Sequence, residues 1–182
     1  MDRARIIRTS KFLSKHLRHD PKGLGLTLQT GGWVAVNDLL AACQRTGFHI
    51  SRADLDTVVA ENDKQRFAYD ATGTRIRANQ GHSVEVDLQL EVAAPPPILY
   101  HGTGHVTADA IERDGLRKMR RHHVHLSTDV PTALRVGARH GKPVIFEVDS
   151  AGMQRDGFKF FCSENGVWLV DEVPPKYLRR TP

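Results

Sequence analysis

The sequence has few cysteines and no long apolar run. Its two cysteines, Cys43 and Cys162, lie far apart and form no CxxC pair. Neither a disulfide framework nor a thiolate metal site is indicated, and a reducing, cytoplasmic location is expected. No stretch approaches the ~20 apolar residues needed to cross a bilayer, and the N-terminal residues lack the apolar core of a signal peptide. A soluble protein with no membrane partner is therefore expected.

Two glycine-rich phosphate motifs are also missing. Neither GxGxxG nor GxxxxGK[ST] occurs in the 182 residues, which disfavours Rossmann and P-loop nucleotide sites. Cations, in contrast, are in excess: 26 Lys and Arg against 21 Asp and Glu give a formal net charge of +5. This charge favours a polyanionic partner, although many basic proteins bind no nucleic acid.

A proline run divides the chain. Consecutive prolines cannot join a helix or a central strand, so residues 93–97 are predicted to be a linker between lobes 1–92 and 98–182.

In the first lobe, residues 6, 13 and 17 give a helix one apolar face, and cations occupy the other. Helices are predicted from Asn37 to about Gly47 and from Ser51 to about Asn62, followed by a hairpin that turns at Thr72-Gly73. Helices followed by a hairpin indicate a winged-helix-like module.

The second lobe is predicted to be richer in strands, so the fold class is α+β. A strand over 98–100 leads into His101-Gly102-Thr103-Gly104, where a glycine lets a ligand approach the backbone. Further on, the alternation in His123 to Ser127 places His125 and Ser127 on one polar strand face. The neighbouring histidines have no carboxylate or cysteine at a familiar ligand spacing, so no metal is expected.

The stretch SKHLRHDPKG raises the question of what Arg18 and His19 do. Cations are favoured in the last turn of a helix by its dipole, and Pro21 ends this helix. The same pair is also suited to a phosphate site, since a guanidinium neutralises phosphate charge and an imidazole can move a proton.

Taken together, the motifs resemble those of the RNA 2′-phosphotransferase family, within the wider ADP-ribosyltransferase group. The second lobe carries YHGT, GLRKMRRHHVHLS and NGVWLVD in the order of that family's NAD-binding motifs. The first lobe carries SKHLRHDP, the GWV segment and Asp63-Lys64-Gln65-Arg66-Phe67, which resemble its other signatures. The likeness covers about residues 10–178.

The resemblance implies an enzyme that removes an internal 2′-phosphate from RNA, as at tRNA splice junctions, with NAD⁺ as co-substrate and no metal. It implies a winged-helix-like RNA-binding lobe, an ADP-ribosyltransferase-like NAD lobe and an active site in the cleft between them. Two groups of site residues follow. The catalytic tetrad implied is Arg18, His19, Arg66 and Arg121. The NAD-binding residues implied are His101, Gly102, Thr103, His125 and Ser127.

Some assignments stay open at this point. Arg120 is an alternative to Arg121, His19 is either a transition-state donor or a general acid, and the role of Glu164 is undecided. A monomer acting on 2′-phosphorylated RNA or tRNA is expected. The alternatives are a winged-helix nucleic-acid-binding protein without catalysis, or an ADP-ribosyltransferase acting on terminal nucleic-acid phosphates or on protein.

Overall fold

The computed structural model describes residues 1–61 and 64–181, and the chain forms two compact units, Met1–Gln89 and Leu90–Pro182. Both units combine helices with small antiparallel sheets, so the protein is α+β. Across the described residues, no helix has the length and apolar character to span a membrane.

The first unit is built around a helical core that covers one side of a sheet. Its helices are α1 (Arg3–Arg18), α2 (Val36–Arg45) and α3 (Arg52–Glu61), and its strands are β1 (Val34–Ala35), β2 (Phe67–Tyr69) and β3 (Arg75–Ala78). The strands pair in the order β1-β3-β2. Leu13 and Leu17 of α1 are fully buried with Leu39, Leu55 and Ile76, which confirms the predicted apolar face of α1.

Local sequence signals set two of the three helix starts. The Asp2 carboxylate accepts the Arg5 N–H at 2.7 Å and begins α1. Before α3, the Ser51 hydroxyl accepts the Asp54 N–H and the Asp54 carboxylate accepts the Ser51 N–H, a reciprocal capping box. The predicted helix end at Asn62 lies outside the described residues.

The start of α2 differs from the prediction. Asn37 lies inside the helix, which begins at Val36 after an Ala35 cap without a side-chain hydrogen bond. The Val36 N–H donates instead to the carbonyl of Thr74 at 2.9 Å. The Thr74 carbonyl therefore accepts a hydrogen bond from the first turn of α2, as a capping side chain otherwise would.

The predicted hairpin is confirmed as the antiparallel pair β2 and β3. Gly73 adopts a left-handed φ of 66° in its turn. The Asp70 carboxylate accepts the backbone N–H groups of Thr74 and Arg75, each at 3.0 Å.

The second unit holds most of the strands. Its helices are α4 (His105–Asp114), α5 (Val130–Gly137) and α6 (Ser150–Arg155). Its strands are β4 (Leu99–Gly104), β5 (Leu116–Arg117), β6 (Val124–Leu126), β7 (Pro143–Val148), β8 (Phe161–Cys162), β9 (Trp168–Val170), β10 (Glu172–Val173) and β11 (Leu178–Arg180). They form sheets in the orders β11-β7-β4, β6-β9-β8 and β10-β5. A bridge between Tyr100 and Ser127 connects the first two sheets.

Strand β4 is longer than predicted. Pairing with β7 continues through His101, Gly102 and Thr103 to Gly104, so these four residues also belong to the strand. Helix α5 begins at a side-chain cap, where the Asp129 carboxylate accepts the Thr132 N–H at 2.7 Å. Helix α6 was not predicted.

The proline run is hydrogen-bonded to the second unit. The Ala93 N–H donates to the carbonyl of Phe160 at 2.8 Å, and the Pro97 carbonyl accepts the Ala151 N–H at 3.1 Å. The Ser150 hydroxyl, itself fully buried, donates to the Pro96 carbonyl. The segment predicted as a linker is thus fixed at Phe160 and at the beginning of α6.

Candidate active site

Arg18 and His19 lie at the C-terminal end of α1. Arg18 is the last helical residue and is half-buried, and His19 is the exposed cap residue. The Arg18 carbonyl accepts the Ser83 N–H at 2.9 Å, and the Ser83 hydroxyl lies 2.9 Å from Nδ1 of His19. A single serine therefore holds both the helix end and the imidazole ring.

Arg66 lies immediately before β2 and also reaches α1. Its Nη1 donates to the buried hydroxyl of Ser10 at 3.2 Å. The preceding Gln65 has a left-handed φ of 40°, and its carbonyl accepts the Asn79 side-chain amide at 2.7 Å. Non-glycine residues with such a φ are concentrated at functional sites. Asp63, in the same predicted motif, lies outside the described residues.

In the first unit, α1 organises every predicted site residue. Arg18 is on the helix and His19 caps it. Arg66 is hydrogen-bonded to Ser10, which lies on α1 about two turns before Arg18. A rigid helix positions such groups more accurately than loops do.

In the second unit, Arg121 is bonded to His125. The Arg121 Nη1 lies 3.0 Å from the His125 Nδ1, and because a guanidinium only donates, the imidazole nitrogen accepts. An accepting Nδ1 carries no proton, so His125 is neutral and its proton is on Nε2. Neighbouring Arg120 is exposed. Arg121 is exposed as well, and its hydrogen bond links it to the histidine motif.

His101 is also hydrogen-bonded to His125. Its Nδ1 lies 3.1 Å from the backbone carbonyl of His125 and must donate, since the carbonyl can only accept. Burial lowers the pKa of His101, and the charge of Arg121 and then of His140 lowers it further, against the opposing effect of the hydrogen bond. A neutral His101 with its proton on Nδ1 has an accepting Nε2, which suits a ligand hydroxyl.

Thr103 and Ser127 complete this group. The Thr107 hydroxyl donates to the Gly104 carbonyl at 3.1 Å, so the buried Thr103 hydroxyl, 2.7 Å from it, donates to Thr107. The Thr103 oxygen then retains the capacity to accept a hydrogen bond. Ser127 exchanges two backbone hydrogen bonds with Tyr100, each of 2.8 Å, which places it beside His101 on β4.

Gly102 is explained by packing within the fold. A β-carbon at this position would come within 1.7 Å of the Ala133 carbonyl oxygen on α5. Glycine therefore allows α5 to lie directly on β4, and the predicted approach of a ligand to this backbone stays a prediction.

Sequence reasoning missed Ser83, Ser10 and Thr107, which hold the predicted residues in place. Each is an ordinary polar residue with no motif around it, and its contact is visible only in the folded chain. Glu164 lies in the turn between β8 and β9. Within the described ranges, no group of three or more His, Cys, Asp or Glu side chains is arranged to hold a metal ion.

Comparisons with known proteins agree with this set of motifs. The sequence profile of the RNA 2′-phosphotransferase, Tpt1 / KptA family matches residues 4–172. The chain is 65% identical to a probable RNA 2′-phosphotransferase of Trichormus variabilis over 178 residues, covering 98% of both chains. It is 58% identical over 180 residues to one from Nostoc punctiforme, covering 99% of both chains. A relative from Streptomyces coelicolor is 57% identical over 179 residues, which cover 98% of this chain and 97% of that one.

Proposed function

The chain belongs to the RNA 2′-phosphotransferase, Tpt1 / KptA family, and from that premise we propose that it transfers an internal 2′-phosphate of RNA to NAD⁺. The observation that carries the proposal is the hydrogen-bond chain from Arg121 through His125 to His101. It connects the arginine proposed to bind phosphate with the histidines proposed to bind the dinucleotide.

In the first proposed step, an oxygen of the RNA 2′-phosphate forms a bond to C1″ of the nicotinamide ribose. The bond from C1″ to the nicotinamide nitrogen breaks, and nicotinamide leaves with the electron pair. A phosphate is already anionic and needs no general base. The arginines are proposed to keep the phosphate oxygen in position beside C1″.

In the second proposed step, the ribose 2″-oxygen attacks the phosphorus and the bond from phosphorus to the RNA 2′-oxygen breaks. The products are RNA with a 2′-hydroxyl and ADP-ribose 1″,2″-cyclic phosphate. The 2″-hydroxyl loses one proton and the leaving 2′-oxygen gains one. Arg18, Arg66 and Arg121 are proposed to stabilise the negative charge on the phosphate oxygens, and His19 is proposed to donate the proton to the leaving 2′-oxygen.

The residues of the second unit suit a dinucleotide. Accepting groups at His101 Nε2 and the Thr103 hydroxyl, with a donating Nε2 on His125, match the alternating donors and acceptors of ribose hydroxyls. We assign dinucleotide binding and an ADP-ribosyltransferase-like fold to this unit.

We assign RNA binding and a winged-helix-like fold to the first unit, in which α2 and α3 precede the β2–β3 hairpin. The outer face of α1 supports this assignment. Arg8, Lys11 and Lys15 are exposed there and continue toward Arg18. Cations spaced along one helix face can follow an RNA backbone, and their contribution falls as salt rises.

The proposal is tested by nicotinamide release from NAD⁺ with three RNAs of one sequence. One carries an internal 2′-phosphate, one a 2′-hydroxyl, and one only a 5′-terminal phosphate. Release with the first RNA alone is expected. Release with the terminally phosphorylated RNA alone would indicate a terminal ADP-ribosyltransferase, and RNA binding without any NAD⁺ consumption would indicate a non-catalytic nucleic-acid-binding protein.

A further inference from the structure

A strained turn precedes the Arg121–His125 pair. The Arg121 N–H donates to the Lys118 carbonyl at 3.0 Å and closes a four-residue turn. Met119, its second residue, has a φ of 54°. Turns with a positive φ at this position are occupied mainly by glycine, asparagine or aspartate, because a β-carbon is crowded in the left-handed region.

The methionine side chain is not held by the fold. Met119 is 85% exposed, more than any other large apolar side chain in the described ranges. Among the described non-glycine residues with positive φ, the other two, Gln65 and Gln89, are polar. The position therefore combines an unfavourable backbone with an apolar side chain in water, and neither feature contributes to stability.

The surroundings indicate what this side chain meets. Arg117, Arg120 and Arg121 are exposed around it. Lys118, the remaining cation of the turn, is 3.4 Å from the Asp171 carboxylate. An apolar group among guanidinium groups matches a ligand whose anionic backbone alternates with flat, apolar surfaces. RNA has this chemistry, with phosphates for the arginines and base faces for the methionine.

We propose that Met119 packs against the base of a nucleotide adjoining the 2′-phosphorylated one. This inference rests on the proposed function, because it takes Arg121 as a ligand of that phosphate. Met119 then sets the position of the RNA chain, and the strained turn presents it two residues from the phosphate contact. Such strain is retained where a site requires it.

Three variants separate this role from a structural one. Met119→Gly and Met119→Asn relieve the backbone strain and remove the apolar group, whereas Met119→Leu keeps the apolar group. With 2′-phosphorylated RNA, the glycine and asparagine variants are expected to lose about tenfold in kcat/KM, and the leucine variant to stay within about twofold. Their thermal midpoints should equal or exceed that of the unmodified protein, and KM for NAD⁺ should not change.

The matched substrate is the same RNA with abasic nucleotides on both sides of the 2′-phosphate. On it, the unmodified protein and Met119→Gly should be equally active. The inference is overturned if Met119→Gly keeps full kcat/KM on intact RNA, if its defect persists on the abasic RNA, or if only the KM for NAD⁺ rises. If the unmodified protein releases no nicotinamide with 2′-phosphorylated RNA, the proposed function itself fails, and this inference fails with it.

Discussion

Nη1 of Arg121 donates to Nδ1 of His125 across 3.0 Å. The contact fixes the orientation of the guanidinium and the tautomer of the imidazole together. His125 in turn receives the Nδ1 proton of His101 on its backbone carbonyl. A residue proposed for phosphate and two proposed for the dinucleotide are therefore positioned by one set of hydrogen bonds.

This relationship separates two adjacent arginines. Arg121→Ala is expected to lower kcat/KM by roughly 10²–10³, the cost of removing a group that stabilises transition-state charge. Arg120→Ala is the matched control and should lose no more than roughly fivefold, since one solvent-exposed ion pair to the RNA backbone contributes only about 0–1 kcal/mol. Single-turnover analysis should show ADP-ribosylated RNA accumulating with Arg121→Ala. Equal losses in the two variants would contradict the assignment.

Ser83 is expected to act as a positioning residue for His19. Ser83→Ala keeps the backbone N–H that caps Arg18 but removes the hydroxyl from His19 Nδ1. The second step should slow roughly tenfold through lost alignment, with ADP-ribosylated RNA accumulating. Ser83→Thr should restore the rate.

The matched experiment repeats Ser83→Ala in a His19→Ala background. Because the Ser83 hydroxyl is expected to act only through the His19 imidazole, Ser83→Ala should cause no further loss of rate in the His19→Ala background. A further loss of similar size would show that Ser83 acts independently of His19.

His101 should make stability depend on pH. Burial, as the largest cause, lowers its pKa in the folded protein, so below about 6.5 the unfolded chain binds a proton that the folded chain resists. The free energy of unfolding is thus expected to decrease as pH falls through that value. His123, whose pKa burial also lowers, contributes in the same direction. Urea denaturation should show a smaller difference in the free energy of unfolding between pH 8 and pH 5.5 for His101→Gln than for the unmodified protein. An equal difference in the two proteins would contradict this account.

Gly102→Ala is expected to destabilise the second unit severely, because the new methyl group would overlap the Ala133 carbonyl. Gly157→Ala is a useful control, since no atom lies within 4 Å of its added β-carbon, although its φ is 92°. That variant should lose only about 1–2 kcal/mol through backbone strain. Comparable thermal midpoints for the two variants would show that α5 can move away from β4.

Local signals in the sequence predicted local structure well. Ser51 indicates the start of α3 because a capping side chain acts within three residues. The extension of β4 through Gly104 depends on pairing with β7, some forty residues later, and no local pattern contains it. Ser83 was missed for the same reason, since its partner His19 is distant in sequence. Chemistry-bearing residues were visible in motifs, whereas the residues that support them were not.

The fate of the phosphorus atom tests the central claim most directly. RNA with a radiolabelled phosphate at one internal 2′-position is incubated with NAD⁺, and the small products are separated. The account predicts label in ADP-ribose 1″,2″-cyclic phosphate, together with RNA that carries a 2′-hydroxyl. Label appearing as inorganic phosphate, or remaining on the RNA while NAD⁺ is consumed, would contradict it.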